Sequence, residues 1–354
     1  MRVSYHPGYV VPLPPRHAFP MAKFSALHDL LIAEGVIRPE GVVAPREADW
    51  GDLLLVHTTR YLDALATGTL TRQEERRMGL PWSEALVTRS RRAVQGTINA
   101  MTMALLDGVA GNLAGGTHHA MPDHGEGFCV LNDVAVALRV LQRSGWLRRA
   151  LVLDLDVHQG NGTAHVFGGD RAWPAGGVYT VSVHGANNYP FRKPPSTRDV
   201  GLPDGTGDDA YLATLSPLLP EVLAEADPDL VVYLGGVDVV ADDRFGRLAL
   251  TRAGLAARDR FVCETVRDAG VPLCLLLSGG YAARRAPGQA PKTLARQTAD
   301  LHATMYRQAA AVYGDDSGRA ALTPTPSTGP AAEPRLGTAM DGSGPAFPLR
   351  RPPA

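Results

Sequence analysis

The stretch LVLDLDVHQGNG, Leu151–Gly162, decides how the rest of this chain is read. It opens on a compact run of branched apolar residues, the mark of a strand buried on both faces. Asp154, Asp156 and His158 follow at a spacing of two. Alternate residues of an extended chain point the same way, so these side chains share a direction as the strand leaves its sheet. Ligands of open α/β sheets collect at the carboxyl ends of strands. A carboxylate and an imidazole from one short segment suit zinc at little extra ordering cost. The competing reading is an Asp pair that caps the next helix.

Working outward, similar apolar runs predict strands at Arg149–Leu153, Gly177–Val183, Leu230–Leu234 and Pro272–Leu277. Helices are predicted at Met21–Ala33, Glu84–Leu106, Leu131–Gln142, Ala210–Ala226, Thr251–Ala269 and Leu294–Val312. Asn132 and Asp133 stand where short polar side chains cap a helix start, and Asp227-Pro228 ends another helix just before a strand. Strand–helix alternation argues for one doubly wound sheet.

Further motifs repeat the logic of the opening stretch. YLGGVDVVADD, Tyr233–Asp243, is an apolar run ending in glycines and then Asp238. Asp238 is placed to be a third metal ligand or, alternatively, a helix N-cap. LLLSGGYA, Leu275–Ala282, presents Tyr281 after a Gly-Gly turn. A phenol there can donate to a polarised carbonyl oxygen; an ordinary loop tyrosine is the alternative. GGTHHA, Gly115–Ala120, places two adjacent histidines after a tight turn, suited to proton transfer near neutral pH. Two acids and one histidine leave zinc an open position for water, and two further histidines can act as bases.

The 354 residues suffice for one large α/β domain, and 45% hydrophobic with 20% charged residues is ordinary for a globular chain. A net charge of −1, from 35 basic and 36 acidic residues, exerts no general pull toward nucleic acid or anionic membrane. Cys129, Cys263 and Cys274 form no CxxC pair and read as reduced thiols. No secretory signal or run of about 18 apolar residues is visible, so a cytoplasmic location is expected. Residues 1–313 are expected to form the catalytic domain, and the Pro/Gly/Ala-rich 314–354 a disordered tail.

The order of motifs resembles the histone deacetylase family, including its acetoin-utilisation and acetylpolyamine amidohydrolase relatives. GGTHHA, GEGFCVLND, DLDVHQGNGT, TVSVHG, GTGDD, GGVD and SGGY follow one another from about Arg2 to Tyr313. HQGNG, RRMGLPWS and NNYPFRKPPS look closest to class IV-like bacterial members. The resemblance implies a single-domain, three-layer α/β/α architecture with a mostly parallel central sheet, the arginase/deacetylase fold. It implies Asp156, His158 and Asp238 as zinc ligands, His118 and His119 as tandem catalytic histidines, and Tyr281 as the carbonyl-polarising tyrosine. Asp154 matches the acid behind His118. Asn161 occupies the place of the partner behind His119, where most other classes carry an acid, and a neutral amide leaves that histidine less basic. Phe128 matches a wall of the acyl-lysine tunnel, with Gly127 beside it. A potassium ion is implied near Asp154, the main-chain oxygens of Asp156 and His158, Ser182 and Val183. His184 reads as packing or as support behind the site.

The implied activity is removal of acetyl or longer acyl groups from the ε-amino group of lysine, by attack of a zinc-bound water whose pKa falls toward about 7. An acetylpolyamine or other small acylated amine is the alternative substrate. A silent acyl-lysine-binding module would have lost a ligand, a histidine or the tyrosine, and all are present. An arginase-like pair of manganese ions would need a second acid beside Asp238. The expected partners are the acylated substrates alone, with no membrane or direct nucleic-acid contact. Asp243 and Arg244 are expected to fix their loop, Asp123 and His124 are candidates for the pocket rim, and Arg192 and Lys193 form a solvated basic loop.

Overall fold

The computed structural model describes residues 1–15, 17–168, 177–281 and 291–314; most of the tail expected to be disordered lies outside them. Its strands are β1 (Arg2–Ser4), β2 (Val42–Val43), β3 (Val109–Asn112), β4 (Ala150–Asp154), β5 (Val178–Gly185), β6 (Arg198–Leu202), β7 (Leu230–Leu234) and β8 (Leu273–Leu276). They form one eight-stranded sheet in the order β2-β1-β3-β8-β7-β4-β5-β6. Every described pairing is parallel, so the expected mostly parallel sheet is parallel throughout. The central strands β3, β8, β7, β4 and β5 are buried at every position. That burial is why β4, β7 and β8 read as largely continuous apolar runs, whereas β3, VAGN, is buried without leaving such a run.

The helices are α1 (Lys23–Ala33), α2 (Trp50–Leu53), α3 (Thr59–Thr67), α4 (Arg72–Met78), α5 (Glu84–Asp107), α6 (Asp133–Arg143), α7 (Asn161–Phe167), α8 (Asp208–Ala226), α9 (Arg252–Asp268) and α10 (Pro291–Gly314). α5 packs on β1, β3 and β8 and carries α6 beside it, whereas α9 packs on β8 between α8 and α10. No described helix is long and apolar enough to cross a membrane.

Sheet order explains why distant motifs meet. β3, β8, β7 and β4 are consecutive neighbours, with Asn112 opposite Leu276 and with Leu234 opposite both Leu276 and Asp154. Their carboxyl ends therefore release GGTHHA, SGGY, GGVD and DLDVH side by side. Parallel strands set in this order place all four motifs on one edge, as open α/β sheets place their ligands.

Candidate active site

Asp156, His158 and Asp238 are buried, and one ligand atom of each lies within 4.8 Å of the others. His158 Nδ1 faces Asp156 Oδ1 at 3.0 Å and Asp238 Oδ2 at 3.1 Å. Main-chain amides hold the other carboxylate oxygens: Gly279 N donates to Asp156 Oδ2 at 2.6 Å, and Val157 N to Asp238 Oδ1 at 3.0 Å. Gly279 is sterically required there, because a Cβ would stand 2.0 Å from Asp238 Oδ2. Burial and the neighbouring Asp156 push Asp238 up to about 7. Burial opposes the charged form of His158, but the two carboxylates outweigh it and raise the ring to about 10. Two crowded buried carboxylates with one imidazole form a donor set suited to a cation. Its mixed O/N character fits zinc with an open fourth position.

The tandem histidines reach this cluster from the GGTHHA turn. His118 Nδ1 donates to Asp154 Oδ2 at 2.6 Å. Burial works against its charge, yet Asp154 and Asp156 raise it to about 9. His119 Nδ1 donates to Asn161 Oδ1 at 2.6 Å. Burial, then the positive fields of His118 and His158, hold His119 well below the usual histidine range. The rings stand 4.1 Å apart, centroid to centroid. Asn161 opens α7, so the residue behind His119 is fixed by a helix start.

Tyr281 stands with its ring 6.3 Å from that of His158 and 5.8 Å from that of Phe128. Burial, with the charges of Asp156 and Asp238, raises its hydroxyl well above the usual tyrosine range, so it keeps its proton. Phe128, Gly127, His119, His158 and Tyr281 line one cavity of about 440 Å³. Gly127 has φ +56, and a Cβ there would come within 2.6 Å of His119 Cδ2. A smaller chamber of about 30 Å³, which shares His119, Gly127, Phe128 and Tyr281 with the first, lies between Phe19, Phe24, Arg89 and His118. Asp154 and Ser182, of the expected potassium set, are register partners on β4 and β5. His184 bonds to Ser182 Oγ at 2.9 Å and packs, as expected.

Several residues here carry roles that the sequence reading missed. Asp133 does not cap α6; Asn132 does, through Ala135 N at 3.0 Å. Asp133 instead accepts from Thr117 N at 2.7 Å and Gly116 N at 3.1 Å, which pins the turn that presents both histidines. Asp243 fixes its loop through Phe245 N at 2.8 Å, and it also accepts from Tyr281 N at 2.8 Å. The buried Lys23 on α1 donates to Ser278 O at 3.3 Å and Gly280 O at 3.2 Å, bracing the same turn from below. Lys193 is no solvated basic side chain: it donates to Ala186, Asn188 and Pro190 carbonyls at 3.2, 2.8 and 2.7 Å. His124 turns toward Asp123 and Glu126. Glu126, unnoticed inside GEGFC, accepts from Asn161 Nδ2 at 2.9 Å.

The chain matches the histone deacetylase domain over residues 17–296. It is 49% identical over 280 residues to an uncharacterized protein of Picosynechococcus sp., covering 79% of this chain and 92% of that one. It is 31% identical over 301 residues to Histone deacetylase 2 of Arabidopsis thaliana, covering 82% and 74%. It is 29% identical over 269 residues to the acetoin utilization protein AcuC of Staphylococcus aureus, covering 70% and 68%. The solved HDA15 HD domain superposes with a TM-score of 0.66 over 90% of this chain and 97% of that one; at 22% identity, this likeness concerns the fold. Carried by its domain match and these relatives, the chain belongs to the histone deacetylase family.

Proposed function

We propose that this chain is a zinc-dependent amidohydrolase that removes short acyl groups, acetyl first, from lysine side chains of proteins or peptides. The observation that carries the reading is the convergence of Asp156, His158 and Asp238 with His118, His119 and Tyr281, of which His119, His158 and Tyr281 line the same cavity. When bound by the triad, zinc supplies Lewis acidity to the scissile carbonyl and acidifies a water.

The protein's own groups then divide the remaining work. Phe128 and Phe245 flank the cavity and hold the aliphatic stem of the lysine between apolar surfaces. His119, neutral by virtue of its surroundings, takes a proton from the attacking water. His118, held charged by Asp154, supplies positive field and a proton toward the departing amine. Tyr281 keeps its proton and donates a hydrogen bond to the developing oxyanion, a contribution of about 2.7–4 kcal/mol in comparable sites. Closure of this pocket around the stem excludes water from the reacting atoms and strengthens each of these interactions.

Two features favour this substrate over its alternatives. The smaller chamber of about 30 Å³ has room for about two waters, which suits an acetyl methyl better than a fatty chain. Arg76, Arg77 and Arg247 line the mouth, and no described lining residue is an acid. A cationic polyamine finds no countercharge there, whereas a polypeptide can rest on the exposed Phe191. A panel of acetyl-lysine peptide, long-chain acyl-lysine peptide and acetylpolyamine, each with and without chelator, tests the proposal. Turnover of the acetyl peptide that the chelator abolishes is expected. Hydrolysis that survives complete zinc removal, or turnover confined to polyamines, overturns it.

A further inference from the structure

One buried carboxylate beside the histidines has no part in the chemistry above. Glu126 is only 6% exposed. Its Oε1 accepts from Asn161 Nδ2 at 2.9 Å and from the Tyr189 hydroxyl. Its Oε2 accepts from Arg77 Nε at 2.8 Å and faces His124 Nε2 at 3.3 Å. Burial alone would favour its protonated form, but bonds from His124, Tyr189, Asn161 and Arg77 hold it well below the usual carboxylate range.

The row His119–Asn161–Glu126 has a direction. An ionised carboxylate can only accept, so Asn161 must turn its NH₂ toward Glu126. The amide oxygen then faces His119, and only an Nδ1–H completes that bond. The opposite ring nitrogen, Nε2, is left with its lone pair. Without the carboxylate the amide can rotate, present its NH₂ to Nδ1 and reverse the tautomer.

We propose that Glu126 is a positioning residue that locks the Asn161 amide and so holds His119 in the Nδ1–H tautomer, with Nε2 free to take a proton. The acid that the resemblance places directly behind this histidine in most other classes stands here one hydrogen bond further away. The kinetic arm of the argument rests on the hydrolase reading; the tautomer does not.

The test uses the as-purified full chain and four variants: Glu126→Gln, Asn161→Asp, the double variant, and His124→Asn. ¹⁵N NMR of labelled histidines reads the tautomer, and turnover of an acetyl-lysine peptide reads kcat and KM. Glu126→Gln is expected to give a mixed or reversed His119 tautomer and to lower kcat by about tenfold or more at nearly constant KM. Asn161→Asp alone sets two carboxylates against each other and is expected to be slower than the double variant. The double variant, with acid and amide exchanged, is expected to recover most of the loss and the original tautomer. His124→Asn removes a Glu126 contact on the far oxygen and is expected to leave kcat within about twofold. An unchanged tautomer in Glu126→Gln overturns the proposal. So does a double variant no better than Glu126→Gln, or a His124→Asn loss as large as that of Glu126→Gln, which would reduce Glu126 to a loop clip. If the parent chain turns over no acyl-lysine while the tautomer still responds to Glu126, the positioning role stands and the hydrolase reading falls.

Discussion

His118 and His119 are adjacent in sequence, both buried, and 4.1 Å apart at their ring centroids. Yet one is raised to about 9 and the other is held well below its usual range. Burial opposes the charge of both rings equally in kind. The difference lies in what stands behind each. Asp154 meets His118 directly through a 2.6 Å bond, whereas His119 meets a neutral amide at the same distance. A full charge at contact overcomes desolvation; a charge one amide further away orients a ring without ionising it. One fold thus gives two neighbouring histidines opposite charge preferences, which suits the donor and acceptor roles proposed for them.

The contrast can be broken most severely at the acceptor. His119→Ala is expected to cost about 10³–10⁴-fold in kcat, as for loss of a general base, with zinc content unchanged by elemental analysis. Asp154→Asn attacks the donor: a loss of about 10²–10³-fold is expected, and the His118 resonance, followed by NMR, should titrate lower than about 9. An unmoved His118 titration would show that Asp154 is not the source of its charge.

Metal loading sharpens the comparison at the level of the ligands. Without an ion, His158 carries its proton up to about 10 and Asp238 up to about 7. Zinc held by this triad, as proposed, would displace both protons, so its affinity would rise with pH and fall as pH drops. A chelator competition should show a change of about tenfold per pH unit above neutrality and a steeper one below it. The smallest effect is expected at Asp133, which serves both histidines alike. Asp133→Asn should cost about 1–3 kcal/mol in denaturant unfolding and slow both steps together, leaving the difference between the two rings intact.

Much of this arrangement is visible in the sequence, and the parts that are not share a cause. β4, β5, β7 and β8 are legible because strands buried on both faces read as unbroken apolar runs. β2 spans only Val42–Val43, and β6 is the partly exposed edge segment Arg198–Leu202, so neither leaves a clear run. α4 has a readable local sign, the capping box of Thr71 and Glu74, without an apolar run to draw notice to it. The residues proposed to hold the metal and the substrate stand in motifs at strand ends and are conspicuous. Glu126, Asp133, Asp243 and Lys23 are single charges within loops or helices. Their partners come from other elements: Glu126 meets Asn161, and Lys23 reaches Ser278. Such pairings exist only once the sheet order has brought the segments together, and no local spacing announces them.

The loop that carries Phe191 is tied down by the Lys193 ammonium on three backbone carbonyls, and Phe191 itself is 89% exposed. The same loop carries Tyr189, whose hydroxyl donates to Glu126 beside Asn161. A change in this segment would therefore be felt at two levels, at the exposed ring beside the cavity and, through Tyr189, at the row of groups behind His119.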